Sequence, residues 1–469
     1  MQKILFKNAA KTLFFAVSAL LLLNTDGFCI TDNFLKACLD FAQAHDKRLA
    51  IAKEQLSLSN LRVNRSGRSF FPGIYLQKRS SRGTTITDEY ESEELGIRAS
   101  QPIYDGGRLV SSYKYDKFFL ESAKLNVTKT REDLFYRVKT TYYEMLNARA
   151  ELQRIKNTFN EINKLYEKTK LEYQAKAISE LDLFESKNFR DKVENMYRSS
   201  EMNAAFAEKK LLAVLDIKSL DHIVATMEDP LLVFPDNIAF TLDECRRFVL
   251  SNNIDSRIAK LYIDMSNLKK KIIRARVIPK IYAEGFYGQS GEAFVTEPLK
   301  LATVWNVSGK LSWGLWGNTL EASQTQEKAI PREVMDVSTR LDSTSTDIRL
   351  SLFDDMGYFV ESKEGDIGVL QSAVDYKDAI NKALLELEKF YNDYQQSLWS
   401  VLSSKDDMEL KQRKLGVLRK RNEVYEASTI EVMDGVYKYA DSVIVYTRVL
   451  SANYIAVCEL ERLTLMPLR

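Results

Sequence analysis

Proline and glycine are scarce, 8 and 18 among 469 residues. So few chain punctuators argue against a string of ordinary globular domains and for long uninterrupted elements. Histidine is scarcer still. His45 and His222 are the two present, one in an expected helix and one in an expected linker, and no nucleophile elbow, phosphate loop or zinc-ligand spacing accompanies them. Catalysis, a metal site and a cofactor site are therefore not expected. Cys38, Cys245 and Cys458 are too scattered for a disulfide framework and read as small packing residues. An excess of one charge is missing too: 67 basic and 65 acidic residues leave +2, which offers no footprint for nucleic acid. Beyond the N-terminus there is no run of eighteen apolar residues, so a membrane would be crossed by strands and not by a helix of the mature chain.

At the N-terminus Lys3, Lys7 and Lys11 flank an apolar run from Leu13 to Leu23, the length of a signal-peptide core. Residues 1–29 are expected to be a secretory signal, with Gly27 and Cys29 as the small residues of the cleavage site. Lipid modification of Cys29 is the alternative.

What the chain does have is periodicity. Leu95, Ile97 and Ala99 alternate with Gly96, Arg98 and Ser100, the signature of a half-buried strand. In the stretch SQPIYDGGR, Ser100 to Arg108, Pro102 marks the strand's last turn, and Asp105, Gly106 and Gly107 supply a tight turn and a helix cap. Beyond it the apolar spacing becomes helical. From Leu134 and Val138 through Thr141, Met145, Ile155 and Ile162 to Thr169 and Tyr173, seam residues fall alternately four and three apart. A helix from Gly107 to Tyr173 would run on the order of 100 Å and needs partners along its length.

The plan occurs twice. An offset of 207 lays Cys38 on Cys245, Phe41 on Phe248, Pro72 on Pro279 and Tyr75 on Tyr282. Each copy is expected to open with one helix of about forty residues, Asp32 to Ser69 and Asp243 to Arg276, and then to enter a sheet just after a proline. An offset of 252 pairs Tyr173, Ala175, Ile178 and Asp182 with Tyr425, Ala427, Ile430 and Asp434, where the long helices turn back. The return helix after the first turn carries small residues on its seam, Ser200, Ala204 and Ala207. The expected organisation is a first repeat over 30–215, a linker over 216–240 with Pro230 and Pro235, and a second repeat over 241–469 with an enlarged β region at 280–354. The last helix ends before Pro467.

The first half has room for one hairpin between Pro72 and Asp105. In the second, LFDDM (Leu352 to Met356) is the counterpart of IYDGG, which leaves about forty extra residues in the sheet region. Trp305, Val307, Gly309, Leu311, Trp313 and Leu315 alternate with polar residues, and Trp316-Gly317-Asn318 is a turn signal. Ile348 and Leu350 alternate again. The chain thus contributes four strands, or six if Val304 to Gly314 and Thr319 to about Lys328 form an added pair with an outer loop near Pro331 to Asp342. Tyr75, Tyr282, Trp305, Trp313 and Trp316 suit an aromatic girdle at a membrane interface; core packing of a soluble sheet is the plainer alternative.

In this order of elements the whole mature chain resembles the TolC family of outer-membrane efflux and secretion channels. The resemblance rests on the tandem halves, the aromatic hairpins entered at Pro72 and Pro279, the turn at Asp105-Gly106-Gly107 with a weaker one at Asp354-Asp355, and the long helices. It implies an α+β membrane protein: a homotrimer sharing one outer-membrane β-barrel, continued by an antiparallel α-helical coiled-coil tunnel across the periplasm. It further implies a passive exit duct, not an enzyme, serving a tripartite efflux pump or type I secretion system for drugs, other small molecules or proteins. The implied partners are a periplasmic adaptor, an inner-membrane transporter and outer-membrane lipid. By the same resemblance, Lys176, Ala177, Ile178, Ser428, Thr429 and Ile430 are tip residues in contact with the adaptor. Glu431, Asp434, Glu180 and Asp182 would form acidic rings at the tunnel entrance, able to favour cations or hold a divalent ion; solvated helix ends are the bland reading. Two departures stand out. The family usually has glycine at the tips, where this chain has Lys176 and Ser428, and six strands per chain would make an eighteen-stranded trimeric barrel. A periplasmic adaptor or a structural coiled-coil envelope protein are the rival readings.

Overall fold

A computed structural model describes residues 33–84, 89–220, 238–294, 298–330, 342–466 and 468. The expected signal segment with Cys29, the linker residues His222, Pro230 and Pro235, most of the expected outer loop (331–341), and Pro467 lie outside the described residues. The first half consists of α1 (Asn33–His45), α2 (Lys47–Arg68), β1 (Gly73–Thr84), β2 (Glu89–Tyr104), α3 (Arg108–Gln174) and α4 (Glu180–Leu215). The second consists of α5 (Leu242–Asn252), α6 (Ile254–Arg274), β3 (Lys280–Phe294), β4 (Ala302–Gly314), β5 (Thr319–Ile330), β6 (Asp342–Ser351), α7 (Gly357–Glu423) and α8 (Thr429–Thr464).

Each half opens with two helices where the sequence suggests one of about forty residues. The break falls at Asp46 and at Asn253, equivalent positions of the repeat. The Asp46 amide donates to Ala42 O (2.9 Å), closing α1, while its carboxylate accepts from the Leu49 amide (2.8 Å), opening α2. The Asn253 amide closes α5 on Val249 O (3.0 Å). Short polar side chains compete with the helix for backbone partners, and a periodic apolar pattern does not reveal that competition.

Two compact units result, and neither is a sequence repeat. One gathers Thr130–Asn253 and Ala383–Arg469 with the chain up to Leu49; the other gathers Ala50–Lys129 and Ile254–Lys382. In the first unit, Cys245 and Val249 of α5 pack with Leu387 and Tyr394 of α7 and with Val457 and Leu460 of α8. A second cluster joins Ile162, Val193, Leu415, Met433 and Val436. The expected seam of α3 is buried at Leu134, Val138, Met145, Ile155, Ile162 and Thr169, but near its middle Tyr142 is buried in place of the half-buried Thr141, and Leu146 is buried beside Met145. The departure is local, because from Ile155 the buried stripe is back on the seven-residue repeat. Ser200, Ala204 and Ala207 of α4 are buried, as the small-residue seam implied. Polar links are threaded through these helices: Lys139 pairs with Glu461 (2.8 Å), and Arg462 pairs with Asp133 (3.1 Å) while lying over the Tyr136 ring. Cys38, Cys245 and Cys458 are free and buried. An eighteen-residue stretch of α8 reaches a mean hydropathy of 1.3, and over half of it is buried in the chain.

The other unit holds a six-stranded antiparallel meander in the order β1-β2-β3-β4-β5-β6. The added pair is present as β4 and β5. Their connection is a two-residue hairpin with positive φ at both central residues, Trp316 (46°) and Gly317 (90°), the turn that matches strand twist. It is tied to the approach to α7: the Asp355 amide donates to Gly317 O (3.2 Å) and the Phe353 amide to Asn318 Oδ1 (2.9 Å).

At the β2–α3 junction Asp105 is buried and accepts from the Leu109 amide (2.8 Å), with Arg108 Nε at 3.5 Å. Gly106 and Gly107 have φ of 69° and 81°, and a Cβ on Gly106 would meet Ile278 Cβ at 2.9 Å. Replacing Asp105 by Ala is expected to cost about 1–2 kcal/mol through the lost cap, and replacing it by Asn much less. The denaturant midpoint of the purified protein measures both; equal midpoints for the two variants would show that the cap contributes nothing.

Candidate functional site

The register places the sheet's apolar residues on one face. Leu76 lies opposite Ile97, Ile97 opposite Tyr287, Gly285 opposite Val307, and Leu320 opposite Leu350, with Ile348 beside Ala322. Ile74, Leu76, Ile97, Tyr287, Val307, Ile348 and Leu350 are all exposed, an apolar surface continuous across the strands. Farther along β1 and β2 the same face becomes charged, with cross-strand pairs Lys78–Glu93 (3.7 Å) and Arg82–Glu91 (2.7 Å). Alternation sends the charges to the opposite face elsewhere: Arg98 donates to Gln77 (3.0 Å) and sits 3.4 Å from Glu94, and Lys310 pairs with Glu321 (3.0 Å). There Phe286, only 3% exposed, lies over Gly96 and Gly288 beneath the Arg98 guanidinium, a packing that a Cβ at either glycine would obstruct.

This division sorts the five girdle aromatics. Trp305, opposite Tyr287, and Trp313, opposite Leu320, share the apolar face; Trp313 Nε1 donates to Val277 O (3.1 Å). Trp316 is exposed in the hairpin turn. Tyr75 and Tyr282 belong to the charged face, because Ile74 and Leu76, and Ile281 and Ala283, flank them on the apolar one. Those two do not fit a girdle facing lipid.

The helical turns are built alike. After α3, Lys176 has φ 59°, and Ser179 caps α4 in a capping box with Asp182: the Ser179 amide donates to Asp182 Oδ2 (3.0 Å), and the Asp182 amide donates to Ser179 Oγ (3.2 Å). After α7, Tyr425 has φ 60°, and Ser428 caps α8 in the same box with Glu431 (3.0 and 3.2 Å). Lys176 therefore corresponds to Tyr425, Ser179 to Ser428, and Asp182 to Glu431, an offset of 249 that also carries the start of α3 at Arg108 to the start of α7 at Gly357. The pairing of Asp182 with Asp434, and of Lys176 with Ser428, is corrected by three residues. Side-chain identities suggested that pairing, but the left-handed residue and the cap determine the turn.

Glu431 and Asp182 are thus committed to caps. Glu180 is the exposed first residue of α4, and Asp434, three residues past Glu431, pairs with Lys438 (2.6 Å). At the first tip Lys176 and Ala177 are exposed and Ile178 half-buried; at the second Ser428 is exposed, Thr429 buried and Ile430 half-buried. Thr429 Oγ1 donates to Glu172 Oε2 (3.2 Å), Lys168 lies 3.6 Å from Glu172 and donates to Asn422 Oδ1 (2.9 Å), and Asn422 donates to Ala427 O (2.8 Å). Glu172, Lys168 and Asn422 carry no sequence signal of this role, since it joins residues more than 250 apart along the chain. Leu171, Leu181, Phe184, Val424 and Tyr425, the last 93% exposed, leave apolar surface around the turns. Among the described residues no cluster of His, Cys, Asp and Glu is arranged for a metal ion.

Residues 39–190 match the family model described as outer membrane efflux protein. Solved structures with the same fold include the Campylobacter jejuni CmeC outer membrane channel, at 13% identity with a TM-score of 0.72, covering 92% of this chain and 85% of that one. The outer membrane protein VceC of Vibrio cholerae is similar at 12% identity and a TM-score of 0.71, with 92% and 95% covered. The open state of the Neisseria gonorrhoeae MtrE outer membrane channel follows at 12% identity and 0.68, with 93% and 90% covered. No curated protein matches the chain by sequence. At these identities the structures establish the fold, which is that of outer-membrane channels, and the resemblance read from the residues is borne out.

Proposed function

We propose that the chain is an outer-membrane efflux or secretion channel working as a homotrimer, an exit duct fed by an inner-membrane transporter through a periplasmic adaptor. The observation that carries this is the meander with one exposed apolar face and one charged face. Such a sheet suits a wall between lipid and an aqueous lumen, and hydrocarbon tolerates strands only when every edge is paired. Exposed Leu385, Trp399, Leu410 and Val417 recur along α7 at spacings of fourteen, eleven and seven residues, an apolar stripe that suits a neighbouring copy. The apolar surface around the two helical turns suits an adaptor, and Glu431, Asp434, Glu180 and Asp182, repeated by threefold symmetry, would place acidic rings at the entrance. A periplasmic adaptor or a structural coiled coil would leave the apolar sheet face facing water.

Fractionation followed by planar-bilayer recording tests the reading. The expected result is a trimer in the outer-membrane fraction that opens ion-conducting channels, and a deletion strain more sensitive to toxic amphiphiles or unable to export a protein. A soluble periplasmic species without conductance would return the chain to the adaptor or coiled-coil class.

A further inference from the structure

The meander ends on two edges of similar length, β1 and β6, and among the described residues neither has a strand beside it. We infer that β6 of one copy pairs antiparallel with β1 of the next, with Leu350 opposite Ile74, Ile348 opposite Leu76 and Asp342 opposite Arg82, closing three chains into an eighteen-stranded barrel. This rests on the channel reading above and specifies its seam.

Three constraints select that register. The first is the face. Ile74 and Leu76 share the apolar surface with Ile348 and Leu350, so a slip by one residue would turn one pair into the lumen. The second is complementarity. This register sets Ser351 against Gly73 and uses β6 from end to end. It places Asp342 opposite Arg82, Arg349 opposite Tyr75, and Asp347 diagonal to Arg79, with no like charges opposed. Moving β6 two residues so that Leu350 meets Leu76 would set Ile348 against Lys78 and separate Asp342 from Arg82.

The third constraint is closure. Directly opposed residues lead across the sheet from Gly73 to Ser100, Glu284, Ser308, Thr325 and Ser345. In the inferred register Ser345 meets Arg79 of the next copy, so the path climbs about six residues, Gly73 to Arg79, over the six strands, which is one residue per strand. A barrel with that ratio has strands tilted by ~36°, within the usual range. A register two residues lower, with Leu76 facing Thr346, would reduce the tilt to about 26°, outside that range. Closure of a single chain on itself is excluded by size, since even eight strands leave an interior just filled by side chains, whereas sixteen to eighteen enclose an aqueous channel.

The test is a disulfide across the seam in the full chain, produced in its own outer membrane. The Leu76→Cys/Ile348→Cys double variant should shift on a non-reducing gel from one chain to the mass of two and three chains, and reductant should reverse the shift. Each single variant reports the background of the buried native cysteines and should not shift. Preferential cross-linking of Leu76→Cys with Leu350→Cys or with Thr346→Cys would overturn the register, and a disulfide confined to one chain would overturn shared closure. Wild-type conductance of the reduced double variant shows that it folds. Conductance with no cross-link in any pair overturns this inference alone, whereas loss of conductance in the unmodified protein overturns the channel reading and the seam with it.

Discussion

Val307→Arg is expected to abolish assembly in the outer membrane, while Ser308→Arg, one residue along the same strand, is tolerated. Val307 is 54% exposed and stands on the apolar face between Gly285 and Gln326. An arginine facing hydrocarbon near the midplane of a barrel costs about 2–4 kcal/mol. In the proposed trimer that cost recurs in each copy, so the total is comparable with the ~5–15 kcal/mol that hold a typical protein folded. Ser308 lies between Glu284 and Thr325 on the charged face, where a guanidinium stays hydrated and has a carboxylate opposite. The yield of heat-resistant trimer in outer-membrane fractions measures the contrast. If both variants assemble equally well, the apolar face does not meet lipid and the barrel reading falls.

The contrast depends on a period of two, and for that reason much of the sheet was legible in the sequence. Trp305 to Leu315 alternate cleanly, and equating LFDDM with IYDGG kept the long helices equal in length, which left room for β4 and β5. The weaker β5 shows why alternation alone was insufficient. Its apolar face offers Leu320 and Ala322 and then Gln324 and Gln326, so the strand is fixed mainly by pairing with both neighbours and by the hairpin at Trp316-Gly317. Tyr75 and Tyr282 lie on the face opposite the expected one for a related reason. Their aromatic character suggested an interface, but position in the pleat decides the face, and their neighbours Ile74 and Ile281 already occupied the apolar side.

The helical turns were less legible. Matching Tyr173 to Tyr425 and Asp182 to Asp434 gave an offset that served residue identities, whereas the fold equates residues by backbone role. Lys176 and Tyr425 both adopt the left-handed conformation that usually falls to glycine, and Ser179 and Ser428 both cap the next helix. The capping boxes were present in the sequence as serine followed three residues later by Asp182 or Glu431. Contacts such as Glu172 with Thr429 were not, because they arise only when helices from the two halves pack side by side.

Glu172→Ala is expected to raise the open probability of the channel about tenfold. Thr429, 6% exposed, donates its hydroxyl to Glu172, and Lys168 adds a charge to the same carboxylate. Removing the acceptor leaves a buried hydroxyl unsatisfied, a cost of about 1–3 kcal/mol to the packed arrangement of α3 and α8, and 1.4 kcal/mol corresponds to a factor of ten in population. Glu431→Gln separates holding from charge. Glutamine preserves a capping box, so the start of α8 stays formed while one charge per chain is removed. If Glu431 contributes to an acidic ring, cation preference falls and open probability stays near wild type; Asp434→Asn, which also releases Lys438, should act in the same direction. Single-channel recordings give the open probability, and reversal potentials in a salt gradient give the selectivity. Unchanged opening in Glu172→Ala would show that this contact does not hold the tip, and unchanged selectivity in Glu431→Gln would leave that residue as a helix cap.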